Sequence, residues 1–440
     1  MKYQEALEYI DSLKKYGIVP GLDSIRELCR RLGDPQDRLQ FVHIAGTNGK
    51  GSVLAYVSTV LRCAGYRVGR YISPTVRDYR ERIQVNGRNI TQKALCGLVE
   101  ELRQVCDSMV EDGLPHPTPF EVETVMGFLY FLRGNCDLVV LETGMGGRED
   151  ATNVIRNTRV AVLASVSMDH MQYLGDTVQT IAAQKAGILK PGVPVVYDGS
   201  CRESRQVIEE RAEVLCCPAY PVADEDLKFG GRGSLGIRGT VKAGTKTVEL
   251  LIPSRADYQL MNAALAFRAA QVIDRDGRFK VSVKAAAAGI RTSRWPGRME
   301  EVLPGVFLDG AHNEGGMEAL ARNIAAMQRE SGKPVSLMFG VVGDKEYRKM
   351  IRKLCGQVDV SHVTVAQMDT ERSVGAAVLA EEFRESLGCP VEAFDTVKDG
   401  WKCFLRNKGE GLAFCAGSLY LAGEVKALLD GYCLQGTSEQ

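Results

Sequence analysis

The chain has 440 residues, too many for one ordinary hydrophobic core, so two or three domains are expected. Its 55 basic and 55 acidic residues cancel, which removes the electrostatic case for nucleic acid or an anionic membrane as partner and leaves small molecules. The 13 cysteines are scattered without a C-x-x-C pair, and Cys63, Cys136 and Cys415 sit in apolar runs, so a reducing compartment is expected and zinc is not.

The first element in chain order is an amphipathic helix over Met1 to Leu13, too polar for a signal peptide or a membrane span; with no other run of spanning length, a cytoplasmic protein is expected. Apolar, often β-branched runs then alternate with helical stretches: Phe41 to Ala45, Val68 to Ile72, Leu138 to Leu141, Val160 to Ala164 and Val193 to Val196. Runs of this kind suit a parallel sheet covered on both faces. From Leu227 to Ile252 the residues alternate among many glycines, which predicts a small antiparallel addition, and helix returns at Asp257 to Ile273. A second α/β series follows at Val306 to Leu308, Val335 to Phe339, Val360 to Val365 and Leu412 to Cys415. The proline and glycine of the run from Thr292 to Arg298 mark a linker between the two series, and the tail from Gly436 to Gln440 is expected to fray.

Between the Phe41 to Ala45 strand and a long helical run lies Gly46-Thr47-Asn48-Gly49-Lys50-Gly51-Ser52. Glycines there let several backbone N–H groups face one anion, the helix N-terminus adds its positive end, and Lys50 supplies a mobile charge. An ordinary strand-to-helix turn would also use glycine and asparagine, but lysine and hydroxyl residues in the same place favour a phosphate cradle for ATP. The spacing departs from the general pattern, because Gly51 intervenes between Lys50 and Ser52. Other polar residues fall at the carboxyl ends of predicted strands, where open parallel sheets collect ligands: Ser73, Glu142 and the pair Asp169-His170. Each taken alone is as well explained as a solvated strand end or a local hydrogen-bonding device; together with the cradle they form a candidate magnesium site.

On these residues and their order the chain resembles the folylpolyglutamate synthases, with dihydrofolate synthase as a second activity, within the Mur ligase superfamily. The resemblance runs almost end to end. It rests on the 46 to 52 loop with its Lys-Gly-Ser ending, Ser73-Pro74, Glu81-Arg82-Ile83, Phe120-Glu121 with Thr124, and Glu142 to Asn153. It continues through Asp169-His170, Tyr173-Leu174-Gly175, Lys185-Ala186-Gly187, Pro296-Gly297-Arg298, Asp309 to Asn313 and Gly417 to Tyr420. Thr75 and Gln184 depart from the family pattern, which has histidine and glutamate there.

The resemblance implies an α/β protein: an N-terminal P-loop ATPase-like domain with a mostly parallel sheet over 1–292, a linker over 293–298, and a smaller C-terminal Rossmann-like α/β domain over 299–440. It implies that Asn48, Gly49, Lys50, Gly51 and Ser52 hold the ATP phosphates, that Ser73, Glu142 and His170 bind Mg2+, and that Asn262, Arg298 and Asp309 touch the nucleotide. Thr118, Glu149, Asp150 and Ala151 align with dihydropteroate-binding positions. Lys185, a surface charge on a bland reading, becomes a carbamylated metal-site residue. His312 either orients groups near the nucleotide or structures the Asp309 loop. The implied partners are a folate or dihydropteroate and L-glutamate, joined by a monomeric, ADP-forming ligase. A cell-wall precursor ligase, a small-molecule kinase and a non-catalytic nucleotide switch are the competing readings.

Overall fold

The computed structural model describes residues 1–243 and 246–436; the last four residues of the tail expected to fray lie outside the described residues. The chain forms two compact units, Met1–Pro253 with Gln259–Arg294, and Ser254–Tyr258 with Trp295–Gln440. Both are α/β, as the sequence leads one to expect.

The first unit is built on eight strands: β1 (Phe41–Ala45), β2 (Val68–Tyr71), β3 (Ile83–Val85), β4 (Arg88–Asn89), β5 (Leu138–Glu142), β6 (Thr158–Leu163), β7 (Val195–Asp198) and β8 (Ala219–Val222). They lie in the order β4-β3-β2-β5-β1-β6-β7-β8. All neighbours from β2 to β8 are parallel, while β3 and β4 run antiparallel at one rim. Every residue of β1 and β5 is buried, which explains their mainly apolar sequences, with His43 inside β1 and Glu142 at the end of β5 as the polar members. The rims are short: β4 has two residues, and β8 carries Pro221. A separate antiparallel sheet, β9 (Leu227–Gly233), β10 (Gly236–Ala243) and β11 (Lys246–Ile252), occupies the glycine-rich stretch.

The second unit has β12 (Glu300–Leu303), β13 (Val306–Leu308), β14 (Val335–Phe339), β15 (Val360–Ala366), β16 (Val391–Phe394) and β17 (Leu412–Ala416), ordered β12-β13-β17-β14-β15-β16. Only β12 is antiparallel to its neighbour. Apolar clusters cover this sheet, one around Leu320, Phe339 and Phe383, the other around Met338, Trp401 and Phe404.

Some boundaries move. The helix expected from Asp257 begins at Gln259, because the preceding five residues pack with the second unit. Cys415 is buried as expected, but Cys136 is only half-buried and Cys63, at the end of its helix, is exposed.

Candidate functional site at the carboxyl ends of the parallel strands

Parallel pairing brings the ends of β2, β5, β1 and β6 to one edge. Tyr71 is in register with Leu141, and Ile44 with Glu142. Glu142 therefore closes β5 beside the start of the glycine loop, and Ser73 follows two residues beyond β2. This is the switch point of the sheet, where the chain leaves β1 to one side and later fills the other.

The loop leads into the helix Lys50–Cys63, whose N-cap is Gly49 with a left-handed φ of 86°. A Cβ at Gly49 would lie 2.4 Å from Asn262 Oδ1, so only glycine fits both the backbone and its neighbour. Asn262 belongs to the helix Gln259–Arg275 and is oriented by Gln259: its Nδ2 donates to Gln259 Oε1 at 3.1 Å. The Gln259 Nε2 donates in turn to Ser52 Oγ at 3.1 Å, and Tyr56 Oη donates to Gln259 Oε1 at 3.3 Å. Gln259 was not picked out by sequence reasoning. Its partners Ser52 and Tyr56 lie some two hundred positions away, and nothing local sets a helical glutamine apart. The loop is fastened on its other side by Thr47, whose N–H donates to Ser165 O at 2.7 Å and whose hydroxyl donates to Ser167 O at 3.0 Å.

Two lysines converge on one carbonyl. Lys50 Nζ donates to Gly46 O at 2.9 Å, and Lys185 Nζ donates to the same oxygen at 2.8 Å. Lys185 is no surface charge: it ends the helix Val178–Lys185 and is 4% exposed. Burial, and next the Lys50 ammonium, push its pKa down to about 7, against the opposing pull of Asp169 and Asp150. The helix that carries Lys185 is tied to the loop after β5, since Arg148 N–H donates to Gln184 O at 2.9 Å and Asn153 Nδ2 donates to Gly187 O at 3.1 Å.

The candidate metal ligands differ in setting. Glu142 is buried, and Ser73 is half-buried before a cis peptide to Pro74. His170 is exposed on a left-handed residue with φ 48°, its backbone N–H donating to Asp169 Oδ1 at 2.9 Å. The hydroxyl of Ser73 and the carboxylate of Glu142 are hard oxygen donors, the kind magnesium takes in small number while its shell fills with water and phosphate oxygens. Among the described residues no group of three His, Cys, Asp or Glu side chains stands ready as a metal cluster. The donor set fits magnesium shared with a polyphosphate better than a resident transition metal.

Of the four positions that the resemblance assigns to dihydropteroate, two are committed locally. Thr118 caps the helix Pro119–Arg133: its hydroxyl donates to Glu121 Oε2 at 2.8 Å and its N–H to the same oxygen at 2.7 Å. Asp150 is buried and accepts from Met145 N–H at 2.8 Å, Thr152 N–H at 3.0 Å and the Thr152 hydroxyl at 2.5 Å. Burial raises its pKa, and these donors pull the other way. Ala151 is buried and Glu149 exposed. The Phe120 ring lies against Gly144, which sets the capped turn beside the loop after β5.

In the second unit Asp309 follows β13. Its carboxylate is buried and accepts three donors: Tyr258 Oη and Met299 N–H donate to Oδ2, each at 2.9 Å, and Ala311 N–H donates to Oδ1 at 2.8 Å. Burial raises its pKa and Arg298 opposes, while burial and Asp309 hold the Tyr258 phenol well above its ordinary value. Arg298 Nη1 donates to Gly310 O at 3.3 Å, and His312 Nδ1 lies 2.7 Å from the same oxygen, so both brace the turn that carries Asp309.

Comparisons with known proteins agree with this layout. Residues 44–270 match the Mur ligase middle domain and residues 297–418 the Mur ligase glutamate ligase domain. The chain is 34% identical over 435 residues to a dihydrofolate synthase/folylpolyglutamate synthase of Bacillus subtilis, covering 97% of this chain and 99% of the relative. It is 30% identical to the folylpolyglutamate synthase of Lacticaseibacillus casei, over 98% of this chain and 99% of that one. A solved folylpolyglutamate synthase from Thermotoga maritima superposes with a TM-score of 0.82 at 31% identity, covering 97% of this chain and 96% of the other. A structure of Escherichia coli FolC in complex with DHPP and ADP gives 0.84 at 26% identity, over 98% of each chain. With this match of sequence, motif order and fold over nearly its whole length, the chain belongs to the folylpolyglutamate synthase/dihydrofolate synthase family of the Mur ligases.

Proposed function

We propose that the protein is an ATP-dependent, ADP-forming ligase that adds L-glutamate to folates, and also to dihydropteroate. The observation that carries this reading is the convergence of Lys50 and Lys185 on the Gly46 carbonyl at the mouth of a glycine cradle. Lys50 at the N-terminus of its helix suits a polyanion, and Lys185, its amine made less basic by burial, suits conversion to an anion.

In the proposed reaction a substrate carboxylate oxygen attacks the terminal phosphorus of ATP. The bond to the bridging oxygen breaks, ADP leaves, and an acyl phosphate forms. The amino nitrogen of glutamate then attacks the acyl carbon, loses a proton and expels phosphate, leaving an amide. A carboxylate is a poor electrophile, and phosphorylation gives it a leaving group. Asn48, Gly49, Lys50, Gly51 and Ser52 hold the phosphates, with Lys50 countering the charge that crowds the phosphoryl oxygens. Gln259 fixes the Ser52 hydroxyl and the Asn262 amide, so that both are oriented before nucleotide arrives. Asn262, Arg298 and Asp309 are assigned to the nucleotide, Thr118, Glu149, Asp150 and Ala151 to the pterin-bearing substrate, and His312 to the orientation of the Asp309 turn. Magnesium, held by Ser73, Glu142 and His170, would neutralise phosphate charge. Lys185 is assigned as a carbamate. Its amine, with a pKa of about 7, is substantially neutral at physiological pH and able to add carbon dioxide, whereas an ordinary lysine is almost wholly protonated. The domain assignment that accompanies this reading is 1–292 for the ATP-binding domain, 293–298 for the linker and 299–440 for the ligase domain. A cytoplasmic monomer completes it; among the described residues no helix is long and apolar enough to cross a membrane.

The test is one incubation with ATP, magnesium, glutamate and either dihydropteroate or a reduced folate. A product heavier by one glutamyl unit, with ADP in equal amount, is expected. A phosphorylated product without the amide would make the protein a kinase, and glutamate transfer to neither acceptor would remove the folate assignment.

A further inference from the structure

The chain passes between its two units at Pro253 to Gln259 and again at Arg294 to Trp295. The segments just inside the second unit, Ser254–Tyr258 and Trp295 to Met299, are far apart in sequence yet meet on one carboxylate oxygen. Tyr258 Oη and Met299 N–H both donate to Asp309 Oδ2, and Asp309 Oδ1 takes the Ala311 N–H of the turn that follows β13. Gly310 N–H adds a bond to Gly297 O at 2.8 Å. A second tether on the first segment, Asp257 N–H to Asn323 Oδ1 at 3.1 Å, does not pass through Asp309.

We propose that Tyr258 is a positioning residue for ATP use, its phenol coupling both connecting segments to the Asp309 turn so that Arg298 and Asp309 are presented to the nucleotide as one rigid group. A carboxylate oxygen that accepts two donors is a better joint than two separate contacts. Loss of either donor leaves the carboxylate with one tether fewer and loosens those that remain. The ring of Tyr258 fills space in either case, so the coupling resides in one O–H.

The variant is Tyr258→Phe in the full-length chain, with Asn323→Ala as a comparison that loosens the first segment without touching Asp309. Hydrogen exchange on the protein without nucleotide reads the coupling directly. In Tyr258→Phe the amides of Met299 and Ala311 are expected to exchange about tenfold faster, as for loss of a hydrogen bond to a charged group, and in Asn323→Ala they are not. Kinetics read the consequence: the KM for ATP is expected to rise about tenfold, with kcat and the KM for glutamate little changed. Unchanged exchange at Met299 and Ala311, or an unchanged KM for ATP, overturns the proposal. The kinetic arm rests on the ligase reading and the exchange arm does not. A wild-type protein that forms no glutamyl product would remove that reading, while exchange at Met299 and Ala311 still decides the coupling.

Discussion

Lys185 carries the sharpest residue-scale consequence. As the free amine, with carbon dioxide removed, its folded pKa lies at about 7, below the ordinary lysine value of 10.5, so between those pH values the unfolded chain binds the extra proton. Stability then rises with pH through that window, and the penalty for burying the ammonium is fully present below pH 7. Replacing it by an uncharged side chain, Lys185→Met, should stabilise the protein at pH 6 and flatten the rise between pH 7 and 10, as read from denaturant midpoints across pH. The same position tests the carbamate. Lys185→Ala should lose nearly all glutamate ligation and regain part of it with added formate or acetate, and full activity without additive would sink the assignment. Glu142→Gln keeps the shape but removes an anionic oxygen. Turnover should fall about 10–100-fold and recover in part at raised magnesium, with little change in melting temperature; normal turnover at low magnesium would show that Glu142 is no ligand. Lys185 shows what the sequence could carry and what it could not. Its place in a Lys-Ala-Gly motif was readable, but its burial and its approach to Gly46 join positions 139 apart and belong to the folded chain.

Elements were readable where burial was complete. β1, β5 and β14 are buried along their whole length and stand out as mainly apolar runs. β4, β8 and β16 are short and mostly half-exposed, β4 being wholly polar, β8 carrying a proline and β16 a glutamate, and they left no such mark. Helix contacts were hidden for another reason: a glycine inside a helix reads as a weak point until its neighbour is known. Gly289, in the helix Val283–Thr292, faces the helix Lys50–Cys63 so closely that an added Cβ would lie 2.4 Å from Val60 Cα. Backbone cannot yield as a flexible side chain can. Gly289→Ala should therefore destabilise by about 1–3 kcal/mol despite alanine's better helix propensity, measured by urea unfolding, and it should weaken nucleotide use because Lys50 begins the displaced helix. A neutral or stabilising outcome would show that the two helices separate without cost.

At the scale of the whole molecule, each unit encloses its own apolar clusters, and the few residues that cross, such as Ala256, pack with the second unit's core. Calorimetry should resolve two transitions, or one whose calorimetric enthalpy exceeds the van't Hoff value; equality of the two would mean the units melt as one. For the same reason, a chain cut after Arg294 would leave Ala256 and Tyr258 without the surface that buries them. The rims of the eight-stranded sheet have a further effect. At one rim β4 offers only two residues, and at the other the outward-facing N–H that a free strand would need at position 221 is missing, because that residue is proline. Val222 O is already bonded inward by Gly199 N–H at 2.8 Å. A sheet this wide with open rims would be a template for strands of other molecules, and its two blunt margins leave such a strand little to pair with.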